Sequence, residues 1–323
     1  MVYSFGLSLG VSMELIRGLY NVRPRHRGAV MTIGNFDGLH AGHRHLVALV
    51  RSRASSLHAP SLVMLFEPQP REFFQGPQAP ARLMTLGQKL AALRTTGIDY
   101  VLVLRFDEML SRLPAEGFVE DILVGALAVR GIIVGDDFRF GAGRHGDFAF
   151  LQAMGQRLGF AVEAASTFLL DGSRVSSTRL RAALADGALD EARRLLGRPY
   201  AHRGRVVHGD ARGRQIGFPT ANLTMPEPPP LRGVFAVTVP IDGQLRHGIA
   251  NVGRRPTFGT GRTLLEVHLL DFAGDLYGRT LTVSFLKKLR DECVFASVDA
   301  LIAQIRCDRE AARNYFAAHE GTS

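Results

Sequence analysis

The apolar run Ala29-Val30-Met31-Thr32-Ile33 breaks at Gly34-Asn35-Phe36-Asp37-Gly38, and a helix-period pattern follows at once. Leu46, Leu49, Val50 and Ala54 fall on one face of that pattern, so the segment reads strand, loop, helix. At the junction stand His40 and His43, separated by Ala41 and Gly42. Three residues is nearly one helical turn, so both imidazoles project to the same side, beside the helix N-terminus. That end carries unpaired N–H groups and a partial positive charge, a seat for phosphate. Gly42 removes the side chain that would hold a phosphate off the backbone. A metal-binding pair and two ordinary surface histidines are the alternatives, but two histidines alone make an incomplete zinc site.

The alternation continues. Strand-like runs at Ala29–Ile33, Ser61–Phe66, Tyr100–Leu104, Gly131–Val134 and Phe160–Ala164 are interleaved with helical stretches near Gly42–Ser56, Leu86–Thr95, Ala115–Leu123 and Phe148–Leu158. This predicts an α/β domain with a parallel sheet covered on both faces, with ligands at the carboxyl ends of the strands. A second cluster, Gly135-Asp136-Asp137-Phe138-Arg139-Phe140 followed by a glycine-rich loop, also trails a strand; a simple turn is its bland explanation. Ser176-Ser177-Thr178-Arg179-Leu180-Arg181 opens a helix. One hydroxyl is explained by capping, whereas three hydroxyls followed by two guanidinium forks suit a triphosphate. In Glu67-Pro68-Gln69-Pro70 the prolines fix a loop beyond the second strand and orient Glu67.

Around Gly197-Arg198-Pro199-Tyr200 the pattern changes to closely spaced strands, Ala201–His208, Ala221–Thr224, Val234–Ile241, Gln244–Val252, Thr263–Leu269 and Thr280–Phe285. Without intervening helices these predict a small antiparallel barrel. A last helix, roughly Val298 to Ala318, carries Leu301, Ile302, Ile305 and Ala312 on its apolar face. Thr220 and Asn222, in Gly217-Phe218-Pro219-Thr220-Ala221-Asn222, are two apart, so on a strand their oxygens face the same way and suit one Mg²⁺ with phosphates and water. Glu266, flanked by strand formers, reads by itself as a solvent-facing strand charge.

Taken together these motifs resemble those of the prokaryotic bifunctional riboflavin kinase/FAD synthetase (FMN adenylyltransferase) family, from Met13 onward and in the same order. The resemblance implies a Rossmann-like nucleotidylyltransferase domain over 13–197 and a riboflavin kinase barrel with a C-terminal helix over 198–323. In the first domain it implies ATP binding by Gly34, Asn35, Phe36, Asp37, Gly38, His40, Gly42 and His43. The two histidines would stabilise charge on the α-phosphate during in-line attack, with no covalent intermediate. Ser176, Ser177, Thr178 and Arg181 would hold the departing phosphates. In the barrel it implies nucleotide contacts from Gly217, Pro219, Thr220, Asn222 and Asn251, with Mg²⁺ on Thr220 and Asn222. Glu266 would be the base toward the riboflavin 5′-hydroxyl. Flavin contacts are implied for Glu67, Asp137, Phe138 and Arg290. The family usually has histidine where this chain has Gln69, which keeps hydrogen bonding and loses a positive charge.

Composition narrows the field. All but Lys89, Lys287 and Lys288 of the 39 basic residues are arginine, and the net charge of +9 suits anionic partners. The arginines form no block, which favours dispersed charge over a nucleic-acid stripe. Cys293 and Cys307 make neither a disulfide framework nor a Cys-x-x-Cys site, so a reducing cytoplasm is expected. No run of 18 apolar residues occurs. Residues 1–12 lack a basic leader and are expected to be a non-native or disordered extension, with Met13 the true start. The expected partners are riboflavin, FMN and ATP, with no nucleic acid, membrane or obligate protein. The rivals are a single-function adenylyltransferase for another phosphorylated acceptor, its barrel non-catalytic, and a basic nucleic-acid-binding protein.

Overall fold

The short apolar runs become strands because both their faces are covered: Val30–Ile33 is buried at all four positions, and Ser61–Leu65 at five in succession. The computed structural model describes residues 13–209, 213, 216–225, 228–254 and 263–319. The expected extension over 1–12 lies outside the described residues, as do Arg255–Phe258, the end of the stretch Asn251–Phe258 that resembles the family's nucleotide and flavin loops. By packing, the chain forms two compact units. One holds the chain up to Ala79 with Leu86–Val175, and the other holds Pro80–Thr85 with everything from Ser176 on.

In the first unit, Glu14–Arg17 (β1), Val30–Ile33 (β2), Ser61–Glu67 (β3), Tyr100–Arg105 (β4), Gly131–Gly135 (β5) and Ala161–Ala165 (β6) make one sheet in the order β1-β4-β3-β2-β5-β6. Every pairing in it is parallel. The helices are Ala41–Ser56 (α1), Pro70–Gln75 (α2), Leu86–Arg94 (α3), Glu108–Arg112 (α4), Ala115–Gly117 (α5), which runs into a π-wound stretch over Phe118–Ala126, and Phe148–Leu158 (α6). A small hairpin, Leu169–Leu170 (β7) and Ser173–Arg174 (β8), follows β6. The core joins Met31, Met64, Leu102 and Ile132 of the sheet to Leu123 and Leu151 of the helices.

The topology positions a crevice. From β2 the chain steps to β3 on one side, and from β5 it steps to β6 on the other. Right-handed crossovers therefore carry α1 and α6 to opposite faces. The connections diverge beyond the carboxyl ends of β2 and β5, which is where open α/β sheets take ligands. The loops after β2 and β5 are the two clusters singled out from the sequence.

In the second unit, Ser177–Ala185 (α7) and Leu189–Leu196 (α8) precede Tyr200–Val207 (β9), Ala221–Thr224 (β10), Gly233–Ile241 (β11), Gln244–Arg254 (β12), Thr263–Leu269 (β13) and Thr280–Arg290 (β14). The six strands close as β10-β13-β12-β11-β14-β9, antiparallel throughout. Closure leaves no edge strand unpaired. The final helix, Val298–His319 (α9), sets Ala312 and Phe316 against Ala236, Ile249 and Leu270. Architecture changes at Gly197, whose left-handed conformation (φ 66°) ends α8. Packing draws α7 and α8 to the barrel's side of that point, so the compact units divide at Val175/Ser176. Pro80–Thr85 joins them because Arg181 Nε donates to the Ala81 carbonyl (2.6 Å) and Tyr200 Oη to that of Leu83 (3.1 Å).

Candidate active sites

The loop after β2 is held in a conformation that few residues adopt without support. Phe36 (φ 48°), Gly38 (φ 88°) and Leu39 (φ 42°) all have positive φ, and Phe36 is buried against the His43 ring at 4.9 Å. A Cβ on Gly34 would stand 3.1 Å from the Phe36 ring, so glycine there admits this anchor. Phe36 and Asp37 are each 1 % exposed, which makes them supports of the loop.

His40 is the N-cap of α1, and its Nδ1 accepts the backbone N–H of His43 at 3.2 Å. The Nδ1 lone pair is thereby engaged, and in the neutral ring the proton sits on Nε2. The His40 and His43 rings stack at 3.6 Å with 13° between their planes. Two imidazoles therefore stand as one wall at the helix N-terminus, on one side, as their spacing requires. A Cβ on Gly42 would meet His40 Nδ1 at 3.3 Å and the Val175 carbonyl at 3.4 Å, so this spot is narrow.

Beyond β5, Asp137 pairs with Arg174 at 2.9 Å, and Asp136 stands 3.8 Å from the same guanidinium. The bond from Asp137 raises the Arg174 pKa further, so it is a permanent cation there. Phe138 stacks on Phe140 with centroids 5.4 Å apart. Glu67 ends β3. Gln69 is buried, its N–H donates to Glu72 Oε2 at 2.9 Å, and its side-chain Nε2 has no hydrogen-bond partner among the described residues. Next to it the exposed Phe73 and Phe74 both pack edge-on against Phe106, an aromatic cluster that the loop reading of this stretch missed.

The hydroxyl–arginine segment belongs to the second unit. Ser176 Oγ accepts the Arg179 N–H at 3.2 Å, which is its cap to α7; Ser177 and Thr178 form the first turn. Arg179 bonds Glu191 at 2.8 Å, while Arg181 spends its Nε on the Ala81 carbonyl.

The barrel unit contains a cavity of about 530 Å³. Thr220, Asn222, Asn251, Glu266 and Arg290 all line it, beside the apolar Phe218, Val234, Ile249, Leu301 and Ile305. Strand register explains the gathering. Asn222 on β10 is opposite Glu266 on β13, and Glu266 is opposite Asn251 on β12, so the three form one row across adjacent strands. Asn222 is 3 % exposed, and its Oδ1 has no hydrogen-bond partner among the described residues. Gly217 (φ 85°) supplies the turn that brings Pro219 and Thr220 to the start of β10.

Arg290 is engaged on both edges: its Nε and Nη2 grip buried Asp308 at 2.8–3.1 Å and tie β14 to α9, and its Nη1 donates to the Asp291 carbonyl at 2.9 Å. Two further cavity residues were given no role from the sequence, although Glu292 closes the stretch Leu286–Glu292 that resembles the family's nucleotide and flavin loops. Glu292 has its carboxyl pushed up by burial, pulled down by Arg232 and Arg290, and pushed up by Glu266. His268, two residues beyond Glu266, bonds the Pro219 carbonyl through Nδ1 at 2.9 Å, and burial lowers its pKa against the opposing effect of that bond. The period of two along a strand is the signal that would have found His268. Among the described residues no group of three or more His, Cys, Asp or Glu is placed to hold a metal ion, and no helix is long and apolar enough to cross a membrane.

A family model described as FAD synthetase matches residues 22–179, and one described as riboflavin kinase matches residues 196–316. The Pseudomonas fluorescens bifunctional riboflavin kinase/FMN adenylyltransferase is 55% identical over 93% of this chain and 97% of its own length. The protein of the same name from Escherichia coli (strain K12) is 50% identical over 94% and 98%. A crystal structure of a Streptococcus pneumoniae protein named as a macrolide-efflux protein superposes with a TM-score of 0.78 at 32% identity, covering 94% of this chain and 99% of that one. With both family models matched in order, and relatives this similar along nearly their whole length, the chain belongs to the bifunctional riboflavin kinase/FMN adenylyltransferase family.

Proposed function

We propose that the barrel transfers the γ-phosphoryl group of ATP to the 5′-hydroxyl of riboflavin, giving FMN and ADP, and that the α/β unit transfers AMP from a second ATP to the FMN phosphate, giving FAD and pyrophosphate. The observation that carries the kinase half is the row Asn222–Glu266–Asn251 facing one cavity with Thr220. In our reading Glu266 accepts the proton of the riboflavin hydroxyl as its oxygen attacks phosphorus, and Asn251 contacts nucleotide. Gly217 and Pro219 shape the turn that carries Thr220. Arg290, fixed in the cavity wall by Asp308 and the Asp291 carbonyl, contacts the flavin.

Thr220 and Asn222 would hold a Mg²⁺ that arrives with ATP. The buried Asn222 Oδ1, without a hydrogen-bond partner among the described residues, fits this reading. When bound, the ion would neutralise phosphate oxygens.

For the adenylyltransferase half, the Nε2–H of His40 and the adjoining imidazole of His43 are hydrogen-bond donors for the α-phosphate, where negative charge develops during attack by FMN. Gly34 to Gly38, with Gly42, form the loop beneath the nucleotide, and Ser176, Ser177, Thr178 and Arg181 receive pyrophosphate. Glu67, Asp137 and Phe138 contact the flavin of FMN. The functional division falls at 197/198, and the exposed thiols Cys293 and Cys307 suit a reducing cytoplasm. Incubation with riboflavin, ATP and Mg²⁺, followed by separation of the flavins, tests the whole reading: FMN and then FAD should accumulate. FAD formed from FMN but none from riboflavin would leave only the adenylyltransferase.

A further inference from the structure

We propose that His268 is a positioning residue for phosphoryl transfer in the barrel: its Nδ1–H, bonded to the Pro219 carbonyl, sets the Phe218–Thr220 turn and with it the Thr220 hydroxyl. The inference rests on the kinase reading above and goes beyond it, because it concerns a side chain that touches a loop rather than a substrate.

Ala221 is opposite Val267 and Asn222 is opposite Glu266, so the next antiparallel step sets His268 opposite Thr220. The backbone ladder cannot run on through Pro219, which has no N–H. Its carbonyl nevertheless needs a donor where it is removed from water. The imidazole of His268 supplies that donor at 2.9 Å, and since a carbonyl only accepts, Nδ1 carries the proton. Phe218 packs edge-on against the His268 ring at 5.6 Å, and Arg309 covers Phe218 at 5.6 Å from its centroid. Pro219 and the residue before it are thereby both held from β13: Phe218 by the ring contact and Pro219 by the hydrogen bond. Thr220 follows directly, with a backbone that has no further ladder to hold it. His268 is 9 % exposed and lines the same cavity as Glu266, since residues two apart on a strand share a face. One strand, β13, thus presents the base and the support of the opposite loop side by side.

The test compares His268→Ala, His268→Asn and His268→Gln by steady-state FMN formation at varied ATP, with riboflavin binding and FMN adenylation measured on the same proteins. An asparagine amide nitrogen reaches the position of Nδ1, whereas that of glutamine is displaced by one methylene. His268→Ala should lose roughly 10–100-fold in kcat/KM for ATP, as loss of an outer-sphere support does. Its riboflavin affinity and FMN adenylation should stay at wild-type levels. His268→Asn should recover most of the loss and His268→Gln should not. Wild-type kcat/KM in His268→Ala would overturn the proposal, and so would equal impairment of the Asn and Ala variants with loss of riboflavin binding, which marks a general packing role. A wild-type protein that made no FMN at all would instead overturn the kinase reading, a distinct result.

Discussion

Asn222 and Glu266 stand directly opposite one another on neighbouring strands of the barrel, and Asn251 extends the row on the far side of Glu266. A slip of one residue in either pairing would turn one member of the row to the other face. The kinase site is therefore built by strand register, and the closed barrel, which has no free edge to slide along, is what holds that register.

Asn222 separates binding from stability. Its buried Oδ1 lacks a hydrogen-bond partner among the described residues, which costs roughly 1–3 kcal/mol of desolvation when nothing is bound. Asn222→Leu should therefore abolish most FMN formation while the melting temperature stays level or rises. A large fall in melting temperature would show that the side chain is a structural tie.

His40 has two tasks, and two substitutions divide them. Asparagine is a good N-cap and can accept the His43 N–H, whereas alanine costs about 1 kcal/mol at such a position. His40→Asn should keep thermal stability and His40→Ala should lower it. Both should slow FAD formation by about 10²–10³-fold, as loss of one preorganised donor does. Normal FAD synthesis by His40→Asn would remove the imidazole from the mechanism.

Arg290 and Asp308 should behave as a buried pair. Arg290→Ala leaves the Asp308 carboxylate, 4 % exposed, without its partner, and should destabilise the barrel unit by about 3–5 kcal/mol. Arg290→Met with Asp308→Leu should regain most of that in a denaturant titration. Equal stability of the single and double variants would contradict the pairing.

Acid should weaken the barrel unit before carboxylates titrate. Burial holds the His202 imidazole below its ordinary pKa of about 6.5, only partly offset by its bond to the Thr224 carbonyl. The unfolded chain then binds the proton more readily, so stability is full above about pH 6.5 and falls as pH drops through the lower folded value. His202→Gln should flatten the decline in melting temperature between about pH 7 and pH 5. An unchanged slope would assign it to other groups; buried His268 shifts in the same direction.

Most of the architecture was legible because apolar runs bounded by turn residues carry it. The α6 bounds, Phe148–Leu158, are those its Asp147 cap and Gly159 stop announce. Strand β1 was not legible: its four residues have charged ends, Glu14 and Arg17, and at the sheet edge beside β4 only Ile16 of them enters the core. Helix α2 read as a proline-fixed loop, though Pro70 sits in the first turn, where a missing N–H costs nothing, and Glu72 returns to the Gln69 N–H. In the barrel, Thr220 and Asn222 stood out by their spacing, Asn251 and Glu266 only through the family resemblance, and His268 not at all. The period of two from Glu266 marks the face it shares, but its partner is a backbone oxygen 49 residues away, a contact that no local pattern encodes. The attachment of Pro80–Thr85 to α7 and β9, through the Ala81 and Leu83 carbonyls, was hidden for the same reason.

The most direct measurement is flavin production by Glu266→Gln. A positioned carboxylate base contributes about 10²–10⁴-fold, and glutamine keeps the shape and the hydrogen bonding but takes no proton at neutral pH. With riboflavin and ATP the variant should bind both and form FMN at roughly 10²–10⁴-fold below the wild-type rate. Given FMN directly, it should form FAD at the wild-type rate, because that acceptor is already an ionised phosphate and its site lies in the α/β unit. FMN formation at the wild-type rate would contradict the account, and so would equal loss of both activities.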